Sequence, residues 1–200
     1  MVENLDRLIT VYPDNYELAQ KHLLLHMYTD MIAPLRLDFG SVYLLPESGG
    51  TIPSSNWIHL KDYVFYLGHD KVSYKIGGGN FFLPMKLVQI ILDMEKKFPG
   101  RRYLLTDLTD RSKPLVDTQH DPTHKRALVK LLKHIPLPNT DTVPSYLTVD
   151  SLRSSFVSYF YTLYNSMPTM ETQILIAQQM RTSVQQMQTS YYKTNISRKI

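Results

Sequence analysis

Three short segments combine a basic or hydroxyl side chain with an otherwise buried, helical context. The first is Pro34-Leu35-Arg36-Leu37-Asp38, in which an arginine opens an apolar stretch. The second, Asp150-Ser151-Leu152-Arg153-Ser154-Ser155-Phe156, sets Arg153 among Leu152, Phe156 and Val157 at the start of a helix. The third runs Met180-Arg181-Thr182-Ser183 and continues through Gln188-Thr189-Ser190-Tyr191-Tyr192-Lys193. Taken singly, each has a structural explanation: an arginine at a helix start can satisfy a carboxylate, and a tyrosine pair can cover a core. The 22 Lys and Arg against 18 Asp and Glu give a formal charge of +4. With a sequence pI near 9.1 and many tyrosines, that is a mild pointer to a polyanion, since cations attract phosphate and aromatics pack on sugars or bases. A surplus of this size is also ordinary for a soluble domain. The absence of Cys excludes a disulfide framework, Cys-ligated zinc, iron–sulfur clusters and thiol nucleophiles.

These segments need elements to position them. At 200 residues the chain is one domain, or a domain with a short tail. Its 43% hydrophobic and 20% charged residues exclude wholesale disorder. No apolar run is long enough to span a bilayer and the N-terminus has no apolar signal core, so a soluble, intracellular chain is expected. Apolar spacing predicts a helix from Tyr16 to Ala33, ended by Pro34. Leu35 to Leu45 reads as buried and Glu47 to Asn56 as a Gly/Ser/Pro loop. The runs YVFYL, KVSYKI and NFFLP, separated by Gly-containing turns, predict a three-stranded antiparallel meander. Gly77 to Gly79 lacks the GxxxxGK[ST] pattern and sits between β runs, which makes it a hairpin rather than a phosphate cradle. Pro84 opens a helix with Leu87, Val88, Ile91, Leu92 and Met94 on its core face, stopped by Pro99-Gly100. Pro122 opens another, whose basic face carries Lys125, Arg126, Lys130 and Lys133; solvation and DNA contact explain that face equally well. Two further helices, Ser151 to Asn165 and Met170 to Met180, precede a Gln-rich end.

In this order, PLRLD, DSLRSSF and MRTSVQQMQTSYYK resemble the catalytic domain of the tyrosine recombinases, the phage-integrase family, in a form similar to integrases of DNA viruses and eukaryotic mobile elements. The resemblance runs from about Tyr16 to Lys193. It implies an α+β fold, mostly helical with a small three-stranded antiparallel sheet. Residues 1–14 are then an N-terminal extension, 15–193 the catalytic domain and 194–200 a basic tail that could dock onto a neighbouring protomer. The resemblance further implies DNA cleavage and rejoining through a 3′-phosphotyrosyl intermediate, without metal or cofactor. Arg36 and Arg153 are the expected phosphate-binding arginines, because a guanidinium fork suits the nonbridging oxygens of a pentavalent transition state. Tyr191, nine residues after Thr182, is the expected nucleophile, with Tyr192 as the alternative. Lys75 is the expected general acid for the leaving 5′ oxygen, placed by a hairpin of KVSYKI with NFFLP; Lys71 is its alternative.

Two positions depart from the family pattern. Asp150 stands where the family has the His of HxxR, and is expected as a helix N-cap. Thr182 stands where it has a later His or Trp, and can donate one hydrogen bond without carrying charge; neighbouring Arg181 could compensate. Family members usually carry a helical core-binding domain ahead of the catalytic one, and the few residues before Arg36 imply either a catalytic-domain fragment or an enzyme that works without that clamp. Expected partners are duplex DNA and other copies of the chain, as a tetramer on DNA, with no membrane; the setting is a host cytoplasm or nucleus, or a virion. The alternative function is a catalytically degenerate, recombinase-derived module that binds DNA or serves a structural role.

Overall fold

Helices form here where apolar residues recur at three- and four-residue spacing and polar groups close the ends. In the computed structural model, which describes residues 2–30, 34–35, 38–45, 53, 55–68, 77–115, 123–133, 147–163 and 168–192, helix α1 spans Val2–Val11 and α2 spans Tyr16–Thr29. Residues 1–14, expected as an extension, thus contain a helix, and its Leu5 is fully buried in the same core as α2. Asn15 caps α2 by accepting a hydrogen bond from the Leu18 backbone N–H at 3.0 Å. The helix stops at Thr29, with Asp30 as its C-cap, short of the expected end at Ala33.

Strands β1 (Tyr43–Leu45), β2 (Trp57–His59), β3 (Val64–Leu67) and β4 (Gly79–Phe82) form one sheet in that order. β1 runs parallel to β2, and the β2–β3 and β3–β4 pairings are antiparallel. The sheet is therefore mixed and four-stranded, not the expected three-stranded antiparallel meander. β3 is flanked on one side by Trp57–His59, a strand too short to stand out beside its Gly/Ser/Pro loop. On the other side it pairs directly with β4, Leu67 opposite Gly79 and Val64 opposite Phe82. Gly79 is thus a strand residue rather than part of a turn, and KVSYKI lies outside the described residues. Gly78 enters β4 against Tyr66, where a Cβ would stand 2.6 Å from the tyrosine hydroxyl, so a larger residue would have to push that ring aside.

The alternating sheet faces explain the core. Ile58, Phe65 and Leu67 point inward and are buried, while Trp57 and Tyr66 stack on the opposite face at 5.1 Å. Pro84 precedes α3 (Met85–Lys97), which buries Leu87, Val88, Ile91 and Met94. Leu92, expected with them, is 40% exposed because it lies beside that stripe. Past Gly100, whose φ of +85° suits only glycine well, residues 102–104 run along β1: Leu44 donates to the Arg102 carbonyl and Leu104 to that of Val42. Helix α4 (Thr123–Lys133) buries Leu128, Leu131 and Leu132. Helices α5 (Val149–Leu163), α6 (Met170–Gln179) and α7 (Val184–Gln186) follow, and a π-helical turn over Met187–Tyr191 closes the described chain.

The fold is α+β. Its apolar side chains gather in two clusters. The larger joins α1, α2, the sheet, α3 and α4 and reaches Leu152 on α5. The smaller holds Val157, Phe160, Tyr161, Ile176, Ala177, Met180, Met187 and Tyr191. Arg153 stands on α5 between the two. Among the described residues no helix is long and apolar enough to cross a membrane.

Candidate active site around Arg153

The start of α5 determines where Arg153 points. Thr148 and Ser151 exchange hydrogen bonds: the Ser151 N–H donates to Thr148 Oγ1 and the Thr148 N–H to Ser151 Oγ, both at 3.0 Å. This reciprocal cap makes Thr148, not Asp150, the N-cap. Asp150 sits exposed in the first turn, where its charge favours the helix dipole. With the register so fixed, Arg153 turns inward and is fully buried. Its guanidinium donates to the Pro34 carbonyl at 2.6 Å and to the Met180 carbonyl at 3.1 Å. The guanidinium carbon also lies 4.7 Å from the centre of the Tyr191 ring, a cation–π contact in a desolvated setting.

Those three contacts join segments remote in sequence. Pro34 is two residues before Arg36, Met180 is two residues before Thr182, and Tyr191 is the expected nucleophile. Arg36 itself lies outside the described residues, as do Lys71 and Lys75.

Arg181 adds a fourth segment. It adopts a left-handed conformation, φ +53°, at the position that usually takes glycine in a helix-ending motif. The Thr182 N–H donates back to Ala177 O and the Arg181 N–H to Gln178 O, both at 2.9 Å, which completes that motif at the end of α6. A non-glycine residue there costs on the order of 1–2 kcal/mol. In exchange, the Arg181 guanidinium is aimed at the start of β4, where it donates to the Gly77 carbonyl at 2.6 Å. Gly77 is two residues after Lys75. Thr182 Oγ1 is buried and has no hydrogen-bond partner among the described residues. A donor left open in this way is suited to an incoming acceptor.

The last turn separates the two tyrosines. Ser183 caps α7 through the Gln186 N–H, and the Tyr192 N–H then reaches back five residues to Met187 O at 3.0 Å. The wider π turn lets consecutive aromatic side chains both pack inward. Tyr191 is 5% exposed and lies on Arg153; half-buried Tyr192 stacks on Tyr161 with ring centres 4.4 Å apart. Tyr161 donates to Gln173 Oε1, which also accepts from Gln188 Nε2, while Gln173 Nε2 donates to the Pro168 carbonyl. Burial holds the Tyr161 hydroxyl above its ordinary pKa. These amide bonds brace the turn that carries Tyr191.

No protein-family model, curated protein or solved structure matches the chain. Of the basic face on α4, Lys130 and Lys133 are exposed on the side away from the core, and the side chains of Lys125 and Arg126 lie outside the described residues. The residues around 194–200 also lie outside them. A search for catalytic motifs passes over Asp6, His22 and His26, whose ligand atoms all lie within 4.8 Å of one another. The signal was available in part, since His22 and His26 are four residues apart on one helix. Asp6 joins them only through the packing of α1.

Proposed function

We propose that the chain cleaves and rejoins DNA by the tyrosine-recombinase route, with Tyr191 as nucleophile. One observation carries this reading: the buried Arg153 guanidinium touches the Tyr191 ring, the Met180 carbonyl and the Pro34 carbonyl, which gathers all three motif segments at one point. The Arg181 contact with Gly77 extends the cluster toward the connection that contains Lys75.

In this mechanism the Tyr191 hydroxyl releases its proton to solvent as its oxygen attacks the scissile phosphorus in line with the 5′ oxygen. A phosphotyrosyl ester forms at the DNA 3′ end, the bond to the 5′ oxygen breaks, and Lys75 gives that oxygen its proton. Arg36 and Arg153 hold the nonbridging oxygens, and Thr182 supplies a neutral hydrogen bond. Attack of a second strand's 5′ hydroxyl on the ester reverses the step and frees Tyr191. Because Tyr191 starts out buried against Arg153, DNA binding must turn its hydroxyl toward the phosphate, and the π turn is the element that moves.

The test is a duplex containing a nick beside the cut site, so that the cleaved fragment is lost and the covalent adduct accumulates. Wild type gives an adduct resistant to denaturant; Tyr191→Phe gives none, while Tyr192→Phe retains it. Loss of the adduct in Tyr192→Phe with retention in Tyr191→Phe would reverse the assignment, and absence of any adduct would end the enzymatic reading.

A second reading is supported by how Arg153 spends its donors. Two of its nitrogens already serve backbone carbonyls, as in a structural arginine, and exposed Asp150 and uncharged Thr182 replace two imidazole positions. A module that binds DNA without cutting it gives salt-dependent association and no adduct in the same experiment.

A further inference from the structure

The helix pair at the N-terminus carries a second polar cluster, far in sequence from the Arg153 segments and independent of the strand-transfer reading. Asp6 lies on α1; His22 and His26 lie one turn apart on α2. His22 Nε2 is 2.7 Å from Asp6 Oδ1 and 3.1 Å from His26 Nε2, and His26 Nε2 is 3.8 Å from Asp6 Oδ1. Three donor atoms thus face one another in a small triangle. Metal–ligand distances of about 2.0–2.2 Å in a tetrahedron require donor separations of roughly 3.3 Å, which these three distances bracket.

The surroundings favour a cation over a plain hydrogen-bond cluster. His26 is fully buried, and its Nδ1 is 2.5 Å from Asp30 Oδ2, so that nitrogen carries the proton and Nε2 presents a lone pair to the triangle. Asp30 is itself held by Lys86, Nζ to Oδ2 3.4 Å. A carboxylate orienting a histidine from behind is the arrangement that raises ligand basicity in metal sites. A single proton on His22 Nε2 cannot serve Asp6 and His26 equally, whereas one metal ion satisfies all three atoms. Asp6, with its side chain 51% exposed, leaves the fourth direction open to water.

We propose that Asp6 Oδ1, His22 Nε2 and His26 Nε2 bind one zinc ion, with water as fourth ligand and Asp30 as the positioning carboxylate, and that the ion clamps α1 onto α2. Two imidazoles and one carboxylate in a compact triangle suit zinc better than magnesium or calcium, which take oxygen ligands and higher coordination.

The test uses the full chain, stripped with chelator, dialysed and titrated with zinc chloride. One zinc per chain is expected, with a rise in Tm that chelator reverses and slower amide exchange in α1. His22→Gln and Asp6→Asn change partly exposed positions and should weaken zinc binding by at least about 100-fold, and Asp30→Asn by about 10–100-fold. His59→Gln, at a histidine paired with Asp62 elsewhere, should bind as wild type does. Zinc bound by Asp6→Asn and His22→Gln as tightly as by wild type overturns the site. So does a folded wild-type chain, judged by far-UV circular dichroism, that takes up no stoichiometric zinc. Should His22→Gln unfold, Asp6→Asn alone decides.

Discussion

One buried arginine, Arg101, lies within the larger region and another, Arg153, stands where the two apolar clusters meet, and the two are held differently. In the larger region Arg101 follows α3, lies against the Glu95 carboxylate at 3.2 Å and donates to the carbonyls of Leu104 and Ile91. These partners come from residues 91–104, and Tyr16 of α2 also interacts with the guanidinium, so Arg101 fastens α3 mainly to the segment beside β1 and touches one remote helix. Arg153 draws its partners from positions 34, 180 and 191, and one of them is the face of a tyrosine ring. A local arrangement assembles early and cheaply, whereas a long-range one requires most of the fold to be in place. The larger region is thus a scaffold closed by packing, and the smaller cluster meets it at a buried cation. Under the proposed strand-transfer reaction, Tyr191 would have to leave this contact before it could attack a phosphate.

The largest effect expected from the contrast is in the scaffold. Phe65 is fully buried at the centre of the sheet, 6.0 Å from the Phe39 ring and 5.9 Å from that of Phe81. Phe65→Ala should cost about 3–5 kcal/mol, a large part of the stability of a domain of this size. Urea unfolding measures it, and the loss should appear in the whole chain at once. A loss confined to α5–α7 would break the comparison.

Arg153→Met comes next. It keeps the buried volume but strips the Pro34 and Met180 carbonyls of their donor, at about 1–3 kcal/mol for each group left unsatisfied. Native-state hydrogen exchange should show the opening concentrated over residues 177–192, with α2 still protected. Equal exchange in α2 would mean that the two clusters unfold as one. Adduct formation on the nicked duplex should vanish in the same variant.

These residues also show how much could be read in advance. The α+β class, most helices and the Phe65 strand follow from local periodicity, because burial of one face imposes it directly. The four-stranded mixed sheet did not follow, since Trp57–His59 and Tyr43–Leu45 are too short for a period to register, and parallel pairing is a non-local fact. Asp150 was misread as a cap because Asp and Thr are both good caps, and only the Thr148–Ser151 exchange decides between them. Lys75, expected in a hairpin of KVSYKI with NFFLP, lies outside the described residues, while β4 pairs with β3 on its described edge. The segments bearing Arg153, Thr182 and Tyr191 stand out in the sequence and meet near Pro34 in the fold, while Arg36 lies outside the described residues. The Asp6–His22–His26 triangle was not legible, because one corner belongs to a helix whose docking no spacing rule reports.

A smaller change tests the bracing of the smaller cluster. Tyr161→Phe removes the hydroxyl that donates to Gln173 Oε1 at 2.8 Å but keeps the ring stacked on Tyr192. Gln188 still donates to the same oxygen, so the acceptor remains satisfied and the loss should be only about 1 kcal/mol. Thermal unfolding of the variant checks it. A cost several times larger would show that the smaller cluster depends on this hydroxyl rather than on Arg153.

The smallest effect is in pH, and the two regions should respond at opposite ends of the scale. The Thr109 hydroxyl and backbone N–H, together with the Asp110 N–H, donate to Asp107 and hold its carboxyl below the ordinary value. A folded-state pKa below the unfolded one gives stability that is complete above the unfolded value and is lost as pH falls through the folded one. Acid therefore loosens the turn after Thr106, and because Asp107 is exposed the contribution is about 0.5 kcal/mol or less after solvent screening. In the smaller cluster, burial raises the Tyr161 pKa. Its contribution is complete below the unfolded tyrosine value and is lost as pH rises through the higher folded one. Exchange at matched intrinsic rates should show acid acting first on residues 106–115 and alkali first on residues 161–192. If the two clusters open separately, Asp107→Asn should shrink the acid response and leave the alkaline response around Tyr161 as it was. A change in both arms would mean that the two clusters open together, held as one unit across Arg153.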